Sequence, residues 1–144
     1  RTSAMILVVT GLGGSLSAIL RGTPAVDFIA MMFTDYGLPT ILLPFVIGII
    51  GNLITGSTTV GVITAASLVA PMLGTLGLSP EAAMLAGASG SVIIKYVNSS
   101  YFWVCTSLTK LSVADAVFSY GGATLVGGIT SFSAVCIMWV AGFI

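Results

Sequence analysis

Apolar residues run along this chain in long blocks, broken by a few short polar stretches. Thr2–Leu20 holds 19 residues without a charge, Tyr36–Pro80 holds 45 and Ala116–Ile144 holds 29. A helix that crosses a bilayer needs about 20 apolar residues. The first and last blocks therefore predict one span each, over 2–20 and 119–144. Between the first two blocks, Thr23-Pro24 is a cap followed by Pro at the first helical position. Val26, Ile29, Ala30 and Phe33 then recur at helical spacing, which predicts a short amphipathic helix at the interface over 24–35.

The 45-residue block breaks at Thr55-Gly56-Ser57-Thr58-Thr59. Its flanks, 39–54 and 60–73, are each shorter than a span. Two short apolar arms around a polar tip predict a re-entrant hairpin over 39–73. The alternative is two short spans with a loop outside the membrane. Ser79-Pro80-Glu81 opens the next helix as cap, first position and first-turn acid. Ala82, Ala86 and Gly90 form one small-residue stripe and Ala83, Gly87 and Ser91 another, the pattern that lets membrane helices approach closely. That helix runs into Lys95 and Asn98-Ser99-Ser100. Such groups are costly in hydrocarbon, so a break around 93–99 is expected, giving one broken span over 80–109. Ser112 is expected to cap a short surface helix containing Asp115, ahead of the last span.

Composition agrees with a lipid environment. Apolar residues make up 57% and charged ones 6%, with mean hydropathy +1.18 and zero net charge. Soluble domains carry about 25% charged residues. A soluble enzyme, a disordered tail and a nucleic-acid binder are excluded on this ground, and no basic patch exists for phosphates. The fold class expected is an all-α integral membrane protein, a polytopic bundle with a re-entrant hairpin and a broken helix. It would be a single membrane domain, multi-pass in the cell (inner) membrane. The chain starts at Arg1 and ends in an apolar run at Ile144, as expected of the C-terminal portion of a longer polytopic protein or a subunit of a split one. Arg1 and Lys110 would share one side with Arg21 opposite, which favours the first side as cytoplasmic.

With no His, the chain has no catalytic triad, no Cys/His dyad and no imidazole metal site. Cys105 and Cys136 form no CxxC pair and are expected as buried apolar residues. Chemistry is left to the two polar breaks. The first is Asn52 with Gly56, Ser57, Thr58 and Thr59; the second is Lys95 with Asn98, Ser99 and Ser100. Discontinuous helices mark substrate and ion sites in secondary transporters. Helix N-termini offer N–H groups and a positive dipole end to an anion, and hydroxyls read its oxygens. Lys95 is the charge deepest inside a predicted span, which makes it a site residue unless a carboxylate elsewhere pairs with it or it snorkels. Asn98-Ser99-Ser100 also matches a glycosylation sequon, a chance match at membrane depth. Gly11-Leu12-Gly13-Gly14-Ser15 lacks the spacing of a nucleotide loop. Tyr96, Tyr101, Phe102 and Trp103 read as core or interface anchors, or as a stacking surface for a ligand.

These residues have a family likeness. Gly11-Leu12-Gly13-Gly14-Ser15-Leu16 with Leu20-Arg21 resembles the glycine-rich segment of the gluconate permease family, the gluconate:proton symporters. Gly56-Ser57-Thr58-Thr59-Val60, then Ile63-Thr64-Ala65-Ala66 and Ala70-Pro71, resembles that family's hairpin motif. Val97-Asn98-x-Ser100-x-Phe102-Trp103 with Leu111-Ser112 resembles its last block. The resemblance implies the ion-transporter superfamily fold, with inverted repeats, hairpins and broken helices. It also implies a small carboxylate or sugar-acid substrate. Where the family usually has His and Asp, this chain has Tyr96 and Ser99, which points to a changed substrate or coupling ion, H+ or Na+. The expected function is a secondary transporter for a small organic anion, with no organic cofactor. The lipid bilayer and the remainder of the transporter, or a second copy, would be its partners. A channel-like subunit and a non-transporting subunit of a split transporter are the alternatives.

Overall fold

The computed structural model describes residues 35–144 continuously, together with Gly11, Ser15, Pro24, Phe28, Met31 and Met32. The predicted span over 2–20 and the interfacial helix over 24–35 lie, apart from these positions, outside the described residues. The described residues form helices and contain no strand.

Helix α1 covers Leu42–Thr55 and α2 covers Thr58–Val69. Helix α1 begins three residues later than the apolar run at Pro39. Turn bonds from Leu42 N to Pro39 O and from Leu43 N to Thr40 O precede it. The late start puts Pro44 in the first turn, where its missing N–H costs nothing. Gly56 ends α1 in the left-handed conformation at φ 68°, and its N–H bonds Asn52 O at 2.7 Å. Ser57 then caps α2 by accepting from Val60 N. Two residues thus reverse the chain, and the arms touch where Gly51 meets Gly61.

The second arm is longer than the 60–73 expected from sequence. Pro71 does not stop it. A 3-10 turn over Ala70–Met72 absorbs the missing N–H, and α3 continues over Leu73–Leu76. Thr58–Leu76 is therefore 19 residues long and apolar enough to cross a membrane. Gly77, at φ 63°, and the bond from Leu78 N to Leu73 O close it.

Helix α4, Pro80–Val92, starts as its sequence predicts: Ser79 accepts from Ala82 N at 3.0 Å, with Pro80 and Glu81 following. It lies in the groove of the hairpin. A Cβ at Gly48 would lie 2.2 Å from Gly87 O, and one at Gly90 would lie 2.1 Å from Phe45 O. Backbones this close are what the two small-residue stripes permit. Ala82, Ala83 and Ala86 are buried there.

Residues 93–99 are not helical, and α5 follows over Ser100–Thr109. The short surface helix expected after Ser112 is not separate from the last span. Helix α6, Val113–Ala116, passes through a π turn over Val117–Gly121 into α7, Gly122–Val140. Val113–Val140 is thus one helical run of 28 residues. The sequence there offers no Gly-Pro or turn pair, so nothing ends the helix before Ser119. Helix α7 packs against α4, with Gly128 directly over Ile93 and with Phe132 stacked on Phe45 at 3.7 Å.

Four helices therefore share one apolar core at one end of the bundle. Ile41 and Leu43 come from the start of α1, Val69, Met72 and Leu76 from the second arm, Ala82 and Ala86 from α4, and Val135 from α7. The opposite end holds the tip at Gly56-Ser57, the break at 93–99 and the π turn.

Candidate functional site

At that opposite end, tip and break are in contact. A Cβ on Gly56 would lie 2.1 Å from Asn98 O, so only glycine fits between them. Asn98 Nδ2 donates to Leu53 O at 2.8 Å and to Asn52 O at 3.4 Å, two carbonyls in the last turn of α1. Asn52 Nδ2 returns a bond to Ile93 O at 3.1 Å. The Lys95 ammonium donates to Asn52 Oδ1. Asn52 is 1% exposed and Lys95 5% exposed. The break is also tied to the last helix, through Lys95 N to Thr124 Oγ1 at 3.1 Å. Trp103 Nε1 holds Val97 O at 2.8 Å.

A cavity of about 280 Å3 opens between these pieces. Gly56, Ser57, Thr58 and Thr59 line it from the tip, and Lys95, Ser99 and Ser100 from the break. Tyr101 and Tyr120 complete the wall. Seven of the nine residues singled out in the sequence stand on one cavity. Asn52 and Asn98 are the exceptions. They stand behind the wall, and their carboxamides hold tip, break and Lys95 together. Asn98 Oδ1 is the buried side-chain acceptor among the described residues that has no partner.

The cavity has a one-sided polarity. Helix α2 and helix α5 both present their N-terminal turns to it. In α2, Ser57 N bonds Thr55 Oγ1, Val60 N bonds Ser57 Oγ and Gly61 N bonds Ser57 O. The N–H groups of Thr58 and Thr59 have no acceptor within the helix. In α5, Phe102 N bonds Ser99 O, while Ser99 makes no side-chain cap. The N–H groups of Ser100 and Tyr101 are likewise open. Two positive dipole ends and the buried Lys95 therefore meet at one cavity, and its lining contains no carboxylate.

Two lining residues were missed from sequence. Tyr101 stood in the aromatic group after the break but was not assigned to the site. Tyr120 lies in a helix that reads as an ordinary span, and the π turn that carries it leaves no mark on hydrophobic periodicity. The remaining aromatics divide. Phe102 is fully buried, edge-on to Trp103 at 5.4 Å and to Tyr120 at 6.2 Å. Cys105 and Cys136 are free thiols, half-buried rather than buried.

A family model described as GntP family permease matches residues 1–144. The chain is 32% identical over 117 residues to the high-affinity gluconate transporter of Escherichia coli (strain K12), covering 81% of this chain and 27% of that protein. It is 39% identical over 113 residues to an uncharacterized permease of Haemophilus influenzae, covering 78% and 23%. It is 29% identical over 131 residues to the D-serine transporter DsdX of Escherichia coli (strain K12), covering 90% and 29%. The chain thus spans about a quarter of the length of these curated relatives, which are permeases and transporters, not enzymes. No solved structure matches it. With the family match running over every residue, the chain belongs to the GntP permease family.

Proposed function

We propose that this chain forms the part of a secondary transporter that holds a small organic anion, a sugar acid such as gluconate, between a hairpin tip and a helix break. One observation carries the reading: the N-termini of α2 and α5 and the buried Lys95 converge on one cavity that has no carboxylate in its wall. Such a wall repels cations and leaves an empty site electrostatically incomplete. A carboxylate would complete it, taking the open N–H groups of Thr58, Thr59, Ser100 and Tyr101. Hydroxyls from Ser57, Thr58, Thr59, Ser99 and Ser100 suit the hydroxyls of a sugar acid.

The membrane arrangement follows the same lines. Val113–Val140 is long and apolar enough to cross, whereas the second hairpin arm reaches that length only by adding the 3-10 turn and α3 beyond Val69. Helix α1, at 14 residues, reaches about 21 Å, short of the roughly 30 Å hydrocarbon layer. A first arm too short to cross favours a re-entrant hairpin whose tip stops within the bilayer, and 80–109 would then be one span broken at the same depth. Large apolar side chains on α5, the π turn and α7, among them Leu108, Phe118, Ile137 and Val140, are exposed and would meet lipid or the rest of the transporter in the cell membrane.

The test is counterflow in proteoliposomes of the complete transporter. Labelled gluconate should enter against unlabelled gluconate inside, which requires a carrier and not a channel. Losing one hydrogen bond to a charged ligand costs about 1.5–3 kcal/mol, so Ser57→Ala should weaken apparent affinity about tenfold. Unchanged affinity in both Ser57→Ala and Ser100→Ala would remove the site from this cavity.

A further inference from the structure

We infer that Tyr120 sets the size and polarity of the anion this site accepts: its ring closes the cavity toward a second, apolar one and keeps out sugar acids that carry an apolar tail. The inference rests on the anion reading of the first cavity and adds to it what limits the substrate.

The second cavity, of about 300 Å3, is lined by Cys105, Thr106 and Thr109 from α5 and by Leu111, Ala116 and Ser119, together with Tyr120. Tyr120 is the residue that the two linings share. Both cavities lie along one face of α5. Tyr101 belongs to the first wall and Cys105 to the second. Residues four apart on a helix share a face and stand about 6 Å apart along its axis. The second cavity therefore continues the first, with Tyr120 between them.

The chemistry changes across that ring. The first wall presents open N–H groups and hydroxyls. In the second, the hydroxyls donate to carbonyls of their own helices: Thr106 Oγ1 to Phe102 O at 2.7 Å, Thr109 Oγ1 to Cys105 O at 2.7 Å and Ser119 Oγ to Asp115 O at 2.6 Å. What remains for a ligand is chiefly apolar: Leu111, Ala116 and the Cys105 thiol. A polyhydroxy chain would lose water there without gaining donors. An aromatic or alkyl tail would gain by burial.

The ring is also held in place. Phe102, fully buried, stands edge-on to Tyr120 at 6.2 Å and to Trp103 at 5.4 Å, and Trp103 Nε1 holds Val97 O in the break. Tyr120 stands on the π turn over Val117–Gly121. The extra residue of such a turn rotates a helix by about 100° from its α register, which fixes where the side chain points.

The experiment measures counterflow of labelled gluconate in proteoliposomes of the complete transporter, against two competitors. One is gluconate; the other is gluconate carrying a benzyl ether on its C6 oxygen, at the end away from the carboxylate. Wild type should bind the benzyl ether at least about tenfold more weakly than gluconate. Tyr120→Ala should raise the ratio of benzyl-ether to gluconate affinity by at least about tenfold, because the phenyl ring then enters an apolar space. Tyr120→Phe keeps the ring and should keep the wild-type ratio. A ring that only supported the fold would move both affinities together and leave the ratio alone. Equal binding of the two competitors by wild type, or an unchanged ratio in Tyr120→Ala, overturns the inference while leaving the anion site in place. If Tyr120→Ala does not fold, Tyr120→Leu, which keeps an apolar contact for Phe102, is read in the same way. Absence of competition by gluconate itself in wild type would instead bring down the anion reading beneath it.

Discussion

The two ends of the bundle are built by the same four helices and are finished in opposite ways. At one end Ile41, Val69, Met72, Leu76, Ala82 and Val135 fill the space, Phe45 stacks on Phe132, and Ser79 and Gly77 complete their helix termini by capping. At the other end the same helices stop at Thr55, Thr58, Val92 and Gly122, and the space between them is a polar cavity. There Ser99 makes no cap, and Lys95 is buried without a described carboxylate beside it. In the first region no buried side-chain polar atom among the described residues lacks a partner. In the second, N–H groups and a charge remain for something else to satisfy. A protein tolerates that arrangement where a ligand completes it.

The comparison breaks most visibly at Gly56. Its Cβ would strike Asn98 O, and its φ of 68° is unfavourable for a branched side chain. Gly56→Val should reduce transport about a hundredfold by parting tip from break. The amount of folded protein should stay within about twofold, because the apolar end carries the packing. Normal transport by this variant, measured as counterflow, would show that tip and break need not touch.

Gly90→Val reverses the outcome. Its side chain would meet the backbone at Phe45 O and Ile49 N, forcing α4 out of the hairpin groove. Overpacking of this kind costs about 1–3 kcal/mol, and the apparent Tm in detergent should fall by several degrees. Apparent affinity in the surviving folded fraction should not change. A shifted affinity with an unchanged Tm would blur the two ends into one.

Two serines sharpen the contrast further. Ser99→Ala removes a hydroxyl that lines the cavity and caps nothing, so affinity should weaken about tenfold with little loss of stability. Ser79→Ala removes a cap bonded at 3.0 Å, so stability should fall by about 1 kcal/mol with affinity unchanged. The same effect from both, by counterflow and by thermal unfolding, would contradict the division. An effect of similar size to that of Ser79→Ala is expected from Phe132→Leu, where loss of the stack with Phe45 should cost about 0.5–1.5 kcal/mol and leave transport kinetics alone.

The breaks, caps and small-residue stripes were legible in the sequence because each is a local rule. Five small or polar residues at 55–59 interrupt an apolar block, Ser79-Pro80 starts a helix, and Lys95 with Asn98 cannot stay in a regular lipid-facing helix. The role of Asn52 and Asn98 was not legible. A carboxamide reads the same in sequence whether it faces a ligand or ties two backbones, and only the distances to Leu53 O and Ile93 O tell them apart. The sequence placed the end of the second arm at 73, but a 3-10 turn and α3 carry it to Leu76. Tyr120 escaped because a π turn shifts the helix register without changing the apolar pattern.

Thiol labelling reads the charge of the cavity directly. In the complete transporter, with Cys105 and Cys136 replaced by Ser, Thr59→Cys and Ser100→Cys would be exposed in turn to a sulfonate and a trimethylammonium methanethiosulfonate reagent. Thr75→Cys, at the apolar end, serves as the reference. The positive cavity should favour the sulfonate reagent about tenfold or more at both positions relative to Thr75→Cys, and gluconate should slow that labelling. Faster labelling by the cationic reagent, or no protection by gluconate at either position, would contradict an anion site between the hairpin tip and the helix break.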